Sequence, residues 1–359
     1  MNLMNKIQEN NEIGHWSNYF SRNPKQRNKL HESDAELLEI PDSPDKYLAV
    51  TIDTVGEEIT SGLYQDPYTM GWVTIMACLS DLAAVGATPL GVVISVSYEP
   101  FREKDFISEI ARGMDEACRE LEIFILGGDT NTTTTISLTA CAFGLSERDR
   151  LMTRRGCRPG DEVFITGGAG SGNALGLVRL SQLSDDFYPE SLYRPRVSLK
   201  AGRILSKYAS CCMDTSDGVL TTLDQLMRLN NVGFDIDCRW EEILLPEVME
   251  LCNKTGTPPW MMLAGLHGEF LLMCSIPSHN VKKIRADLGS EGIDLIKVGK
   301  VKESPGITLN LLSGEKIDID MAPVRNLLQT VNGDLDRYIQ EFWNMGHKWG
   351  LNGPLKRDR

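Results

Sequence analysis

The 359-residue chain carries 37 basic and 50 acidic side chains, a net charge of −13, and 42% of its residues are hydrophobic. This length favours two domains, and the negative charge disfavours nonspecific binding to nucleic acid or to an anionic membrane. The nine cysteines form no C-x-x-C pair, the first residues lack an apolar signal core, and no apolar run spans a membrane. We therefore expect a cytoplasmic protein with reduced thiols, whose partners are neither nucleic acid nor membrane.

The first half of the chain alternates between predicted strands and helices after a polar lead-in. Apolar periodicity predicts strands at 47–52, 90–96, 123–126 and 136–145, and helices at 70–85 and 105–121. The sequence Gly86-Ala-Thr-Pro89 is predicted to end the first of these helices. The strands at 90–96 and 136–145 are apolar on both faces, which predicts a sheet that is buried on both sides.

A second α/β unit is predicted after the arginine-, proline- and glycine-containing segment 148–161. Its predicted strands are 163–166, 233–238, 269–276, 295–301 and 307–312, and its predicted helices are 173–183, 198–208, 219–229 and 279–289. A helical tail follows. The predicted organisation is therefore a lead-in at 1–34, domains at 35–150 and 151–325, and a tail at 326–359.

Four carboxylate-bearing turns stand where an apolar stretch stops or a helix begins. They are Thr51-Ile-Asp53-Thr, Ser80-Asp81, Gly127-Gly-Asp129-Thr and Asp214-Thr-Ser-Asp217-Gly. Mg²⁺ is usually bound by a few carboxylates together with the phosphates of a substrate, so these turns favour a metal–polyphosphate site. Any one of these aspartates could instead cap a helix or form a turn. Asp81 fits that alternative poorly, because it lies in an otherwise apolar helix, where an unpaired carboxylate is costly.

The loop Gly167-Gly-Ala-Gly-Ser-Gly172 resembles a dinucleotide-binding fingerprint. A dinucleotide site requires this loop in the first βα turn, with an acidic residue about twenty positions later. Here the loop opens the second unit, and the downstream acids at 185, 186 and 190 fall in a predicted loop. We therefore do not expect NAD binding. The P-loop and protein-kinase motifs are also absent from the sequence.

Taken in order, five segments between about residues 30 and 315 resemble the thiamine-monophosphate kinase branch of the aminoimidazole-ribonucleotide (AIR) synthase superfamily. The segments are 48–54, 79–89, 126–130, 153–161 and 213–218. The resemblance implies an α/β (α+β) protein of two AIR synthase-like domains. It further implies that the N-terminal sheet forms the barrel of a homodimer, next to a C-terminal α/β domain, and that the ligands are ATP and several Mg²⁺ ions.

The resemblance also implies roles for individual residues of this chain. The implied magnesium ligands are Asp34, Thr51, Asp53, Asp81, Asp129, Asp214 and Asp217. The implied ATP contacts are Gly128, Asp129, Arg154 and Ser216. Among the metal ligands, Asp53, Asp129 and Asp217 are the predicted catalytic residues. Such a site would act by positioning and charge neutralisation rather than by covalent chemistry.

The sequence departs from the family pattern in the metal site and more strongly in the acceptor site. Ser33 and Ile52 replace an Asp and a Thr of the metal site. In the acceptor site, His267-Gly-Glu-Phe-Leu-Leu replaces Gly-Glu-Asp-Tyr-Glu-Leu, and Thr60 stands where a His is usual. We predict Thr60, His267 and Glu269 as substrate contacts, with strand capping as the alternative for the latter two. We expect the acceptor to differ from thiamine monophosphate.

These features predict an ATP- and Mg²⁺-dependent kinase acting on a small-molecule acceptor. Two alternatives stay open: an AIR synthase-like ligase or dehydratase that activates an amide oxygen, and a non-catalytic nucleotide-binding dimer. Relatives that make selenophosphate carry a reactive residue near the N-terminus, whereas the first cysteine here is Cys78. Relatives that act on a carbamoyl group end in a cysteine tail, whereas this chain ends in Lys-Arg-Asp-Arg.

Overall fold

The computed structural model describes residues 3–265 and 267–351, so the Lys-Arg-Asp-Arg end of the chain lies outside the described residues. The strands are β1 (Glu36–Ile40), β2 (Ser43–Thr54), β3 (Thr88–Tyr98), β4 (Ile125–Thr132), β5 (Ser137–Glu147), β6 (Glu162–Ile165), β7 (Cys211–Asp214), β8 (Gly233–Asp237), β9 (Leu272–Ile276), β10 (Ile296–Lys302), β11 (Gly306–Asn310) and β12 (Lys316–Ile319). The helices are α1 (Gln8–Ser17), α2 (Gly56–Thr60), α3 (Pro67–Ala84), α4 (Lys104–Glu120), α5 (Ser171–Leu180), α6 (Leu199–Leu205), α7 (Val219–Asn230), α8 (Trp240–Ile243), α9 (Pro246–Thr255), α10 (Val281–Gly289), α11 (Ala322–Arg325), α12 (Leu327–Thr330) and α13 (Leu335–Trp349). Short 3₁₀ helices lie at Leu3–Lys6, Arg148–Arg150, Glu190–Leu192, Pro259–Leu263 and Ser278–Asn280.

The first sheet contains five strands in the order β1-β2-β5-β3-β4, antiparallel except for the parallel pair β3–β4. One face is covered by α3, which in turn packs against α4. Because α3 covers only one face of the sheet, burial alternates along β5. Leu138, Ala140 and Ala142 are fully buried, and the residues between them are half-buried. Within one chain, the sheet is therefore buried on one face and not on both faces as predicted.

The opposite face of the first sheet, here called the outer face, carries exposed apolar side chains. Ile52 on β2 is 67% exposed, and Leu126 on β4 is 61% exposed. Large apolar side chains that lie together on an open sheet face are typical of a surface that another chain covers. The predicted homodimer stays a prediction, and the outer face is the surface to which it refers.

The second sheet contains seven strands in the order β12-β11-β8-β10-β6-β9-β7 and is antiparallel except for the pair β8–β11. Fully buried aromatic side chains, among them Phe164 on β6 and Phe234 on β8, contribute to its core. The helix α6 contacts β9 of this sheet, and α7 contacts β7, β8 and β11. Among the described helices, none combines the length and hydropathy that a bilayer crossing requires.

Helix α3 contacts both sheets and positions the site between them. It begins after Asp66, whose carboxylate accepts hydrogen bonds from the amides of Tyr68 and Thr69, and Pro67 occupies its first position. It ends before Gly86, whose φ of 65° lies in the left-handed region, as the Gly-Ala-Thr-Pro sequence predicted. Because α3 is apolar on nearly all sides, it is buried against β2 and β5 of the first sheet and β7 of the second.

One strand boundary near the predicted site was wrong. The strand predicted to stop at Leu126 continues as β4 through Gly127-Gly-Asp129 to Thr132. Glycine at 128 permits this, because a Cβ there would lie 2.3 Å from the carbonyl oxygen of Ile94 on β3. Asp214 is the last residue of β7, and α7 begins at Val219 after a turn, where the sequence predicted a helix at 219–229.

Candidate active site

Three carboxylates converge where α3 meets both sheets. Oxygen atoms of Asp34, Asp81 and Asp214 all lie within 4.8 Å of one another. Asp34 directly precedes the strand pair β1–β2, Asp81 lies in the last turn of α3, and Asp214 ends β7. The two halves of the chain therefore contribute to one group, as the resemblance implied.

Two residues of β2 and one of α3 extend this carboxylate group. Asp53 lies close enough to Asp81 for each carboxyl group to perturb the pKa of the other, and the Thr51 hydroxyl donates a hydrogen bond to Asp81. The Ser80 hydroxyl donates to a carboxylate oxygen of Asp214 at 2.5 Å, which links α3 to β7. Oxygen donors of this kind are the ligands that Mg²⁺ prefers.

Burial and mutual repulsion perturb these carboxyl groups strongly. Burial raises the pKa of Asp81 well above its ordinary value, and the neighbouring Asp53 and Asp214 raise it further. Burial, reinforced by Asp34, raises the pKa of Asp214 to about 7. The pKa of Asp53 is also raised, first by burial. Carboxylates packed this closely repel one another unless protons or cations neutralise them.

One basic side chain reaches the group. The Arg154 guanidinium donates twice to one oxygen of Asp34, at 2.9 and 3.0 Å, and the two side chains are 18% and 0% exposed. The other oxygen of Asp34 is buried without a hydrogen-bond partner. An orphaned carboxylate oxygen beside two further aspartates is a donor set that fits a hard divalent cation. The residues present therefore fit magnesium, which Asp34, Asp53, Asp81 and Asp214 would hold.

The turn between β7 and α7 lies beside this group. Burial raises the pKa of Asp217 to about 6, while the charges of Arg325 and Arg154 oppose the shift. The carbonyl oxygen of Ser216 accepts a hydrogen bond from the Gly268 amide at 2.7 Å, which fixes the turn against the segment before β9. Asp217 is outside the three-carboxylate group, and its predicted metal role remains a prediction.

The sheet does not bring Asp129 to the carboxylate group of the same chain. Asp53 is in register with Ala140, Ile94 and Gly128 on the next three strands, so these four residues face α3. Asp129 follows Gly128 on β4 and therefore points to the outer face. Three strand spacings of about 4.8 Å also separate the two strands by roughly 14 Å. The Asp129 carboxylate accepts a hydrogen bond from the Asn131 side-chain amide at 2.6 Å.

The predicted acceptor residues are mostly engaged within the protein. His267 is 5% exposed, and its Nε2 lies 2.7 Å from the Tyr64 hydroxyl. Burial lowers the pKa of His267 to about 3, so the ring is neutral. The exposed Thr60 hydroxyl donates to the Gly56 carbonyl of its own helix. None of these contacts requires a ligand, and the acceptor roles of His267 and Thr60 remain predictions.

Glu269 occupies the loop that resembled a dinucleotide fingerprint. Its carboxylate is 3% exposed and accepts a hydrogen bond from the Gly170 amide at 2.8 Å. Burial raises its pKa to about 7, while the amides of Gly170, Gly172 and Ser171 favour the ionised form. A carboxylate from the chain itself thus fills the anion position that a dinucleotide phosphate would need. This contact gives the glycine-rich loop a structural role within the chain.

Sequence reasoning missed Glu58. It lies on α2, and one of its carboxylate oxygens is buried without a hydrogen-bond partner. Burial raises its pKa to about 7, and the charges of Glu57, Asp217 and Asp53 add to the shift. An acidic residue on a short polar helix gives no sequence signal. The fold brings Glu58 near the buried Tyr64 and Tyr193, whose pKa values are raised mainly by burial and further by the Glu58 charge.

The chain matches both domains of one protein family. Residues 32–146 match the N-terminal domain, and residues 158–311 the C-terminal domain, of AIR synthase related protein. Together these regions cover well over half of the 359 residues. The chain belongs to the AIR synthase related protein family, as its motifs indicated.

Among similar proteins, the thiamine-monophosphate kinase of Halobacterium salinarum is 29% identical over 238 residues, 66% of this chain and 79% of the relative. The thiamine-monophosphate kinase of Escherichia coli is 26% identical over 297 residues, 80% of this chain and 88% of the relative. The solved structure of AaThiL complexed with AMPPCP and TMP has a TM-score of 0.69 and 23% identity, and covers 88% of this chain and 96% of that one. The last similarity concerns the fold.

Proposed function

We propose that this protein is a kinase that transfers the γ-phosphoryl group of ATP to a small-molecule acceptor, with Mg²⁺ held by the buried carboxylate group. The observation that carries the proposal is the convergence of Asp34, Asp81 and Asp214 within 4.8 Å, beside Asp53. A well-packed apolar cluster would be more stable at this position than several closely spaced carboxylates, so their convergence favours a role in binding a cation. The thiamine-monophosphate kinases similar to this chain support the assignment.

Bound magnesium would neutralise the charge that develops on the transferred phosphoryl group. The protein's own groups position the reactants. Arg154, held by Asp34, presents a guanidinium beside the carboxylates, where it can contact a phosphate oxygen. The hydroxyls of Thr51 and Ser80 orient Asp81 and Asp214 through hydrogen bonds. Charge neutralisation and alignment of this kind account for most phosphoryl-transfer catalysis.

A second copy of the chain completes the site in this proposal. Asp129 faces away from the carboxylate group of its own chain, on the outer face with Ile52 and Leu126. If two outer faces pack together, as in the predicted homodimer, Asp129 of one copy reaches the ATP phosphates bound by the other. Asp129 and Gly128 then serve as metal and ATP contacts across the dimer interface. The nine cysteines are all free thiols, which supports a reducing, cytoplasmic location.

The acceptor in this proposal differs from thiamine monophosphate. His267 and Glu269 already contact Tyr64 and the loop at Gly170, and neither is a cation that a phosphorylated acceptor would favour. Glu58 supplies instead a buried carboxylate oxygen without a partner, which favours an acceptor with a hydroxyl or ammonium group.

The test is a ³¹P NMR assay of the full-length protein with ATP, Mg²⁺ and a panel of small alcohols, amines and thiamine monophosphate. The expected result is ADP together with a new phosphorylated product from one acceptor. Free phosphate accompanied by a dehydrated or cyclised acceptor would replace this proposal with the ligase or dehydratase alternative. Absence of ADP with every acceptor, despite tight ATP binding, would favour the non-catalytic dimer.

A further inference from the structure

A polar cavity lies outside the carboxylate group. Its volume is about 560 Å³, and it opens between the segment before β1 and the segment after β5. The side chains on which the inference rests are Arg27, Lys29, Glu32, Tyr47, Arg148 and Arg155. Small-molecule sites commonly have volumes of about 300–1,000 Å³, so this cavity has room for a metabolite.

The charge of this cavity is opposite to that of the protein. Four cationic side chains and one carboxylate line it, a net charge of +3, whereas the whole chain carries −13. Arg155 pairs with Glu32 at 2.6 Å, and Arg148 pairs with Glu39 at 3.2 Å. Among the described residues, no carboxylate lies within ion-pair distance of Arg27 or Lys29. Positive charge concentrated in a concave surface attracts small anions.

The lining also provides the hydrogen-bond geometry that phosphate requires. Arginine guanidinium groups bind phosphate oxygens in pairs, and lysine adds a point charge. The Arg148 guanidinium is fixed 4.7 Å above the ring of the buried Tyr47, so its orientation is already set. The Asn28 side chain, which also lines the cavity, is held by Glu36 and by the Leu37 amide, so the arginine and lysine side chains are the proposed phosphate ligands.

The walls of this cavity continue directly into the active site. The Arg154 amide donates to the Glu32 carbonyl oxygen at 2.9 Å, which joins the two segments that form the walls. On the other side of the same segments, the Arg154 guanidinium holds Asp34 at 2.9 Å. An anion that attracts Arg155 away from Glu32 therefore acts on the backbone that positions Asp34 and Arg154.

We propose that this cavity is a second anion site, which binds a phosphorylated small molecule and modulates the affinity of the active site for ATP. The inference goes beyond the proposed kinase function and is independent of the identity of the acceptor. The hydrogen bond between Glu32 and Arg154 connects the two sites, but no protein atom is proposed to bind a ligand in both of them. Since binding at one site changes the other, ATP must affect the anion affinity in the same proportion.

The test uses full-length protein saturated with Mg²⁺ and a non-hydrolysable ATP analogue, so that the active site is filled. Isothermal titration with ribose 5-phosphate, and separately with inorganic phosphate, measures the second site. The expected result is saturable binding of one probe per chain, weakened by roughly tenfold in the double variant Arg27→Gln/Lys29→Gln. If ribose 5-phosphate binds more tightly than inorganic phosphate, the ligand is a phosphorylated metabolite. If the two probes bind equally, free phosphate is a sufficient ligand. Both results support the site.

The matched control is Arg203→Gln/Lys207→Gln, which removes two exposed cationic side chains near α6 and should leave probe binding unchanged. A second readout is the dissociation constant of the ATP analogue with Mg²⁺, which the probe should shift in wild-type protein and in the control but not in the cavity variant. Absence of saturable binding, equal loss in both double variants, displacement of the ATP analogue by the probe, or an unshifted dissociation constant would overturn the proposal.

Discussion

The position of Asp129 leads to a prediction about mixed dimers. Asp53 faces α3, whereas Asp129 lies on the outer face three strands away, roughly 14 Å distant by strand spacing. If Asp129 acts on the ATP bound by a second copy, each site takes Asp53 from one chain and Asp129 from the other. Asp53→Asn and Asp129→Asn alone should each reduce turnover by orders of magnitude, because phosphate charge is left uncompensated.

A mixture of the two variants should recover activity. Random pairing makes about half of all dimers mixed, and each mixed dimer contains one site with both aspartates and one site with neither. The expected activity is therefore about a quarter of the wild-type value, measured as ADP formation after co-expression of the two chains with different tags. The control mixture is Asp53→Asn with Asp81→Asn, whose residues belong to the same carboxylate group, and it should stay inactive. Recovery in the control, or none in the test mixture, would refute the reasoning.

Three further predictions concern single features of the structure. Burial lowers the pKa of His267 from its ordinary value of 6.5 to about 3 in the folded protein. Between about pH 3 and pH 6.5, the unfolded chain therefore binds one more proton than the folded protein. The stability that neutral His267 confers is complete above its unfolded pKa and declines below it. Urea unfolding should show wild type losing about 2 kcal/mol more than His267→Gln between about pH 8 and pH 5. Asp81→Asn should raise the melting temperature of metal-free protein by removing repulsion, yet abolish stabilisation by Mg²⁺ with ATP; an unchanged response to Mg²⁺ would contradict this. Thiamine monophosphate should give a kcat/KM well below about 10⁴ M⁻¹s⁻¹, and efficient steady-state turnover would show that the acceptor is the family's usual one.

The sequence predicted those parts of the site that depend on local pattern. Asp81 was recognisable because a carboxylate within an apolar helix needs a partner, and α3 indeed places it, half-buried, beside Asp53 and Asp214. The family motifs likewise predicted Asp34 and Arg154, which the fold pairs at 2.9 Å. Asp81 and Asp34 lie close to a helix end and a strand start, where side-chain direction follows from secondary structure, whereas Arg154 lies in the connection between β5 and β6 and was predicted from the family motif alone.

The remainder depends on long-range register and packing, which local pattern does not contain. The face on which Asp129 lies follows from the continuation of β4 through Gly127 and Gly128, and a one-residue change of register would reverse it. Glu269 fills the glycine loop from about one hundred positions away, and Glu58 becomes buried only when α2 docks. These contacts join segments that are remote in sequence, so neither could be inferred before the fold was known.

The most direct test of the carboxylate group as a metal–ATP site is calorimetric titration of a non-hydrolysable ATP analogue. We predict tight binding to wild-type protein with Mg²⁺, little binding with EDTA, and weakened binding in both Asp53→Asn and Asp214→Asn. These two residues come from the first and second sheets, so both halves of the chain are tested. Equal binding in EDTA, or affinity unchanged in both variants, would contradict the account.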